Sequence, residues 1–216
     1  MTVYKLDVEL NDLKLELLKM FRFVEEMIEQ SIKALLERDE ELAKKVYEAD
    51  TFVHQAELDI ERHCMKIMLK MQPVAKDFRE VSTVLKVITD IERIGDQASD
   101  IAGIVPQISD NKVGCEKTHL PEMGRLAVEM VRDSVNSFIR QDVELAEKTI
   151  KADDIMDSKF EEVKQELINE IKENSAIADD AIMFMMIVKY LERIGDHAVN
   201  VCEWTDYNNS GEHRKF

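Results

Sequence analysis

The chain has 216 residues, of which 29 are Lys or Arg and 45 are Asp or Glu, giving a formal net charge of -16 with histidine neutral. A surface this acidic repels phosphate backbones, which argues against nucleic-acid binding. The sequence contains only 6 glycines and 3 prolines, too few for a β-sandwich or a Rossmann-type domain, and therefore favours long helices.

The first predicted helix begins near Leu6 and ends near Glu37. Its apolar residues recur at alternating steps of four and three, the pattern of a helix that packs lengthwise against other helices. They are Leu6, Leu10, Leu13, Leu17, Met20, Val24 and Met27. Asp39 follows as a predicted N-cap, so a second helix should start directly after a tight turn.

Two further helices are predicted in the first half. The second runs with the same kind of apolar seam to about Met71, and Pro73 ends it. The third begins near Pro73 or Asp77 and stops before Pro106. Residues 106–121 contain two of the three prolines and no apolar periodicity, so we interpret this stretch as a linker between two halves.

The second half repeats the first. The segment ERIGD occurs at 92–96 and again at 192–196, a shift of 100 residues, while DEELA at 39–43 corresponds to DVELA at 142–146, a shift of 103. A repeat of about this length that contains three helices predicts an all-α fold of two tandem, pseudo-symmetric three-helix bundles. The fold should therefore contain six long helices.

These patterns predict a first bundle at residues 1–107, a linker at 108–120 and a second bundle at 121–216. The N-terminus lacks a signal-peptide core, and the longest apolar run, residues 181–188, is too short to span a membrane. Its Met-rich part, residues 182–188, is expected to be buried core. The three scattered cysteines show no disulfide or zinc-binding spacing. We expect a cytoplasmic protein that meets membranes only through partners.

Glu92, Asp96 and Asp100 form a stripe of carboxylates on the third helix. Their spacing of four residues places them within an arc of about 80° beside the apolar seam. Like charges at this spacing repel one another unless something compensates them. A bound cation would do so, and the stripe is therefore a candidate metal site.

Comparable acids occur on three other predicted helices. They are Asp50 on the second helix, Asp153 and Asp157 on the fifth, and Glu192 and Asp196 on the sixth. Oxygen ligands favour Mg, Mn, Ca or Fe, whereas His54, four residues after Asp50, would also admit Zn. The alternative is that these carboxylates are ordinary solvated surface, which is common on charged helices.

Several enzyme classes lack their motifs. The sequence has neither GxxxxGK[ST] nor GxGxxG, and its one relevant ExxH, Glu116 to His119, falls in the predicted linker. His63 and His197 are isolated and are expected to be structural. Arg93 and Arg193 are expected to pair with neighbouring acids, and Gly95 and Gly195 to mark close helix crossings.

The duplicated ERIGD, the segment QPVAKDFR at 72–79 and LERIGDHAVNVCEW at 191–204 make the chain resemble the PhoU family. The resemblance implies a cytoplasmic, all-helical regulator, not an enzyme, which restrains phosphate uptake and phosphate-starvation signalling when phosphate is plentiful. Implied partners are the ABC-type phosphate transporter, its sensor histidine kinase and a second copy in a homodimer. The resemblance also implies metal ions (Fe, Zn, Mn or Mg) on the acidic motifs.

The two halves depart from each other at the candidate ligands. His54 stands where the second half has Asp157, and Asn200 stands where the first half has Asp100. The two sites should therefore differ in charge and affinity. Other functions remain open: a metal-binding helical adaptor of another transport system, a carboxylate-bridged metalloenzyme such as a hydrolase or oxygenase, or an adaptor without metal.

Overall fold

The computed structural model describes residues 2–109 and 119–212, and within this part the secondary structure is entirely helical. Six long helices follow one another: α1 (Thr2–Glu37), α2 (Glu40–Met71), α3 (Ala75–Ile104), α4 (Leu120–Arg140), α5 (Val143–Glu173) and α6 (Ala178–Ser210). Short 3-10 turns follow α3 (Val105–Gln107) and α5 (Ser175–Ile177). The predicted ends of the first two helices are confirmed. The fourth helix begins at Leu120, one residue before the predicted second bundle.

The same tight turn joins the first two helices of each half. Arg38 and Gln141 adopt left-handed backbone conformations, with φ of 57° and 55°. The aspartate that follows each caps the next helix: Asp39 accepts from the amide of Leu42 at 2.9 Å, and Asp142 from that of Leu145 at 3.0 Å. An N-cap of this kind contributes about 1 kcal/mol to helix stability. The predicted cap at Asp39 is confirmed.

Helices α1, α2 and α3 pack together as one bundle, and α4, α5 and α6 as a second. The predicted seam residues supply the core: Leu17 and Val24 of α1 and Ile91 of α3 are fully buried. The two bundles lie side by side, with α3 against α6 and α1 against α4. The prediction of two pseudo-symmetric three-helix bundles is confirmed.

Polar contacts hold the two bundles in register. On one side, Arg132 of α4 pairs with Glu25 of α1 at 2.5 Å and with Glu29 at 3.5 Å. On the other side, the Nδ1 atom of His197 lies 2.9 Å from Asp90 of α3. His63, within the first bundle, bonds to two glutamates of α1. Both histidines are therefore structural, as expected.

The apolar run at 181–188 is only partly buried. Phe184 and Ile187 are core residues, but Ile182 and Met186 are 57% and 43% exposed. The expectation of a wholly buried run is wrong for these two, because their side of α6 faces away from the helices packed against it. Cys115 and Glu116 lie outside the described residues. None of the described helices has the length and apolar character needed to cross a membrane.

Candidate metal centres

A close crossing of α2 and α3 creates the first acidic site. A Cβ at Gly95 would lie 3.0 Å from a methyl carbon of Val53, so the missing side chain allows the two helices to approach. This confirms the structural interpretation of Gly95. The crossing brings Asp50 and His54 of α2 beside the acidic stripe of α3. The first cluster comprises Asp50, His54 and Glu57 of α2 with Glu92 and Asp96 of α3.

His54, Glu57 and Glu92 form the tightest part of the first cluster. One ligand atom from each lies within 4.8 Å of the others, the only such set of three among the described residues. The Nδ1 atom of His54 is 3.6 Å from Glu92 and 3.8 Å from Glu57. One imidazole and two carboxylates suit Zn, Mn or Fe better than Mg or Ca.

The acids of the first cluster are held close together without enough positive charge. Burial raises the pKa of Asp50, and the nearby carboxylate of Asp96 adds to this effect and shares a hydrogen bond with it. Burial likewise raises the pKa of Glu92, again with a contribution from Asp96. A cation bound between these oxygens would remove the repulsion and lower both pKa values.

Arg93 supplies part of the missing charge. Its guanidinium donates to Asp96 at 2.8 Å and lies 3.5 Å from Glu92, which confirms the predicted ion pairs. The side chain is largely exposed, so it can leave these acids when a metal ion competes for them. The pairing is therefore compatible with a site in which a bound metal ion replaces the guanidinium of Arg93.

Asp100 lies at the edge of the first cluster and turns toward the second bundle. Its pKa is raised by partial loss of water and by Asp96, and is lowered by a hydrogen bond from Tyr190 of α6. The positive charge of Arg193 also lowers the pKa of Asp100. The carboxylate thus has partners across the bundle interface, in addition to its place in the predicted stripe.

The second cluster comprises Asp153 and Asp157 of α5 with Glu192 and Asp196 of α6. Burial raises the pKa of Asp153 to about 6, with further contributions from Asp196 and Asp157. One of its oxygens, Oδ1, is buried and has no hydrogen-bond partner among the residues that the structure describes. Lys189 offsets part of the charge by pairing with Glu192 at 2.5 Å.

Gly195 forms part of the wall of the second cluster. A Cβ at this position would lie 3.3 Å from the Oδ1 atom of Asp153. The glycine therefore leaves room for the carboxylate where α6 crosses α5. A buried, unpartnered carboxylate oxygen surrounded by other acids is costly unless a cation or a proton satisfies it. The residues of this cluster fit a hard metal ion bound through oxygen.

The predicted ligands differ in their exposure to water. Half-buried positions are occupied by Asp50, Glu92, Asp96, Asp153 and Glu192, whereas Asp100, Asp157 and Asp196 are exposed. The structure thus places all eight at or beside two helix crossings, and each cluster contains half-buried carboxylates. Sequence reasoning missed Glu57, which has no acidic counterpart in the second half, where Phe160 occupies the equivalent position.

Comparison with known proteins identifies the family to which the chain belongs. The PhoU domain matches the chain twice, at residues 17–105 and 120–205. The chain belongs to the PhoU family. Each PhoU domain contains one three-helix bundle core and one ERIGD segment, so the internal repeat recognised in the sequence is a domain duplication.

Relatives and solved structures agree over nearly the whole chain. The phosphate-specific transport system accessory protein PhoU homolog of Clostridium acetobutylicum is 32% identical over 94% of both chains. Homolog 1 of Thermotoga maritima is 33% identical, over 96% of this chain and 90% of the relative. The crystal structure of the phosphate transport system regulatory protein PhoU from Streptococcus pneumoniae superposes with a TM-score of 0.92 at 27% identity, covering 98% of this chain and all of that one.

Proposed function

We propose that this chain is a cytoplasmic accessory regulator of an ABC-type phosphate transporter. It restrains phosphate uptake and starvation signalling when phosphate is plentiful. The observation that carries the proposal is the duplicated PhoU domain, together with relatives named as accessory proteins of the phosphate-specific transport system. A sensor histidine kinase coupled to that transporter is a second partner, and the working form is a homodimer.

The two acidic clusters bind metal ions in this proposal. In the second, Asp153, Asp157, Glu192 and Asp196 would hold a hard ion such as Mg or Mn, or iron. In the first, His54, Glu57 and Glu92 would hold Zn, Mn or Fe, with Asp50 and Asp96 nearby. The support is the unpartnered oxygen of Asp153 and the raised pKa values of acids in both clusters.

Metal loading changes the surface that a partner meets. A bound ion supplies positive charge, while the carboxylates position it at the two helix crossings. The chain carries a net charge of -16, so neutralising several acids changes the local field substantially. We expect the loaded protein to dock on a partner that the metal-free protein repels. Regulation then follows from binding, and the protein needs no catalytic step.

Phosphate uptake by cells that lack their own PhoU protein tests the regulatory proposal. Expression of the chain should lower radiolabelled phosphate uptake in phosphate-rich medium. The variant Glu92→Gln with Asp153→Asn should fail to do so, whereas Glu147→Gln, on an exposed part of α5, should act like the unmodified chain. Uptake that does not respond to expression would contradict the regulatory role.

Metal analysis of chelator-treated and reloaded protein tests the clusters separately from regulation. Elemental analysis should find bound Zn, Mn, Fe or Mg after dialysis, and the two substitutions should remove it. Full regulation by protein that binds no metal would favour the adaptor without metal. Steady turnover of ester or phosphoester substrates by the loaded protein would instead favour the metalloenzyme.

A further inference from the structure

The far end of the first bundle carries a local reversal of charge. Residues 62–79 cover the end of α2, the turn at 72–74 and the start of α3; we call this segment the basic tip. It contains five Lys or Arg residues and one acid, a net charge of +4 in a chain of -16. The basic residues are Arg62, Lys66, Lys70, Lys76 and Arg79.

The basic tip also exposes large apolar side chains. Leu69 and Val74 are each 74% exposed, and Phe78 and Met65 are 49% and 48% exposed. They extend from the last turns of α2, across the turn, to the first turn of α3. Single exposed apolar residues are common, but four within fourteen residues around one turn concentrate apolar surface at this end of the bundle.

Part of the QPVAKDFR segment has a clear structural role. Pro73 is buried, and Arg79 donates a hydrogen bond to the carbonyl of Asn208 at 2.9 Å, which ties the start of α3 to the end of α6. Val74, Lys76 and Phe78 of the same segment are exposed and play no part in this packing. Folding therefore explains only part of the motif.

In the part of α2 that belongs to the basic tip, the lysines lie beside the exposed apolar side chains on the helix surface. At 100° per residue, Met65, Leu69, Lys66 and Lys70 fall within an arc of about 140°. Lys66 pairs with Glu9 at 3.2 Å, whereas Lys70 forms no ion pair with any described residue, and neither does Lys76. Two lysines beside the apolar patch are thus free to meet an external anion.

The second bundle shows that the fold does not require this chemistry. The equivalent segment, residues 165–179, contains one lysine and four acids, a net charge of -3. Both segments connect the second helix of a half to the third, yet only the first is basic. The difference indicates that the basic tip serves an external contact.

We propose that the basic tip is a peripheral contact for anionic phospholipid surfaces. Lysines attract lipid phosphates while apolar side chains enter the boundary of the acyl region, the combination used by proteins that lie on membranes. The exposed residues of the basic tip surround the connection between α2 and α3. This direct contact goes beyond the proposed regulatory function and revises the expectation that membranes are met only through partners.

The acidic remainder of the chain does not prevent this contact. Lys70 lies twenty residues from Asp50 along α2, which corresponds to about 30 Å at 1.5 Å per residue. The Debye length at physiological ionic strength is about 8 Å, so the repulsion from the first cluster is screened at the tip. Within the tip Asp77 is the only acid. Three acids that border it are paired: Glu9 with His63 and Lys66, Asp59 with Arg62, and Glu80 with Lys14. Lys70 and Lys76 therefore carry the charge available to an external anion.

Vesicle co-sedimentation tests the proposal directly. The unmodified chain should bind vesicles of equal parts phosphatidylcholine and phosphatidylglycerol, and should bind vesicles of phosphatidylcholine alone far more weakly. Lys70→Ala with Lys76→Ala should weaken binding to the mixed vesicles roughly 30-fold. Lys45→Ala with Lys172→Ala removes the same charge from exposed positions elsewhere and should leave binding within about twofold.

An apolar variant separates insertion from simple charge attraction. Leu69→Ser with Val74→Ser should weaken binding roughly tenfold at both low and high salt, whereas the effect of the lysine variant should fade at high salt. All four substituted residues are exposed, so circular dichroism and melting temperature should remain unchanged.

Three results would overturn the lipid contact. The first is equal binding to neutral and anionic vesicles, or none to either. The second is selective displacement by inorganic phosphate over chloride at matched ionic strength, which would indicate a site for a soluble anion. The third is tight binding of an acidic peptide without vesicle binding, which would indicate a protein partner. Each result is independent of phosphate uptake, so this proposal and the regulatory one can fail separately.

Discussion

Asn200 of α6 donates a hydrogen bond to the carboxylate of Asp90 of α3 at 2.9 Å, across the interface between the two bundles. The repeat places Tyr190 opposite Asp100 at the equivalent positions, and these two are also hydrogen-bonded. The interface therefore uses the same pair of positions twice, with the acid on α3 both times. This explains why Asn200 replaces the aspartate that the first half has at Asp100.

Asp90→Ala should weaken the interface between the two bundles. The substitution removes the acceptor for both Asn200 and His197 and leaves their polar groups half-buried. We expect a loss of about 1–3 kcal/mol in the free energy of unfolding, measured by urea denaturation. Asp59→Ala, on the exposed side of α2, should cost well under about 1 kcal/mol. Equal losses would contradict a special role for Asp90.

Asp153→Asn should stabilise the metal-free protein at neutral pH. The pKa of Asp153 is about 6 in the fold against an ordinary value of 3.8, so the native state binds more protons between these values. The stability of the unmodified protein therefore falls as the pH rises from about 4 to about 6. After allowance for solvent screening, we expect the variant to gain on the order of 1 kcal/mol at pH 7, or roughly 2–4 °C in melting temperature.

Metal ions should reverse the stability ranking of the unmodified chain and the Asp153→Asn variant. With saturating Mg or Mn, the unmodified chain should melt at a higher temperature than the variant, because only the carboxylate gains from the bound cation. Calorimetry with chelator and with each metal measures both states. If the variant remains the more stable protein under every metal condition, the second cluster does not hold these ions.

Gly195→Ala should affect the second cluster more than the fold. The added methyl group would lie 3.3 Å from the Oδ1 atom of Asp153 and displace it slightly. Alanine also favours the helix by about 1 kcal/mol, which offsets the crowding. We expect a small change in melting temperature and a clear loss of metal affinity by calorimetric titration. Gly103→Ala, where the methyl would meet the Tyr47 ring at 3.3 Å, serves as a control that spares this cluster.

His54→Ala should change metal preference at the first cluster. Removing the imidazole leaves Glu57 and Glu92, which favours hard ions and disfavours Zn. Competition titrations should show a larger loss for Zn than for Mn or Mg. His63→Ala is the matched histidine control, since His63 binds glutamates of α1 away from this cluster. A uniform loss for all metals would indicate a structural role for His54.

Cys64 and Cys202 should resist thiol reagents in the folded protein. Both are buried, and burial raises the pKa of each thiol to about 12, so almost no thiolate forms at pH 8. In a Cys115→Ser variant, labelling of these two thiols by a chromogenic aromatic disulfide should require denaturant. Rapid labelling of two thiols in buffer would show that the cores around them open readily.

The apolar seams and the repeat made most of the fold predictable. Helix packing requires a regular period, so residues such as Leu17 and Ile91 reveal their burial in the sequence itself. The helix crossings were also recoverable, because Gly95 and Gly195 are costly within helices and need a spatial reason. Duplication then extended the assignment from one half to the other.

The finer composition of the clusters was not predictable in this way. Glu57 reaches Glu92 only through the antiparallel packing of α2 and α3, and it is not repeated in the second half. Asp100 has the correct helical spacing but interacts across the bundle interface with Tyr190. Spacing along one helix fixes the direction of a side chain, whereas its partner depends on which helix lies opposite.

The contact between Tyr190 and Asp100 gives the protein a built-in optical reporter. The phenol belongs to the second bundle, but its pKa is raised by loss of water and by the Asp100 carboxylate at the edge of the first cluster. A cation that weakens the negative field there would shift phenol ionisation toward lower pH. Ultraviolet absorbance titration of the tyrosinate band, with Tyr190→Phe as the blank, could then follow occupancy of the first cluster without an attached dye.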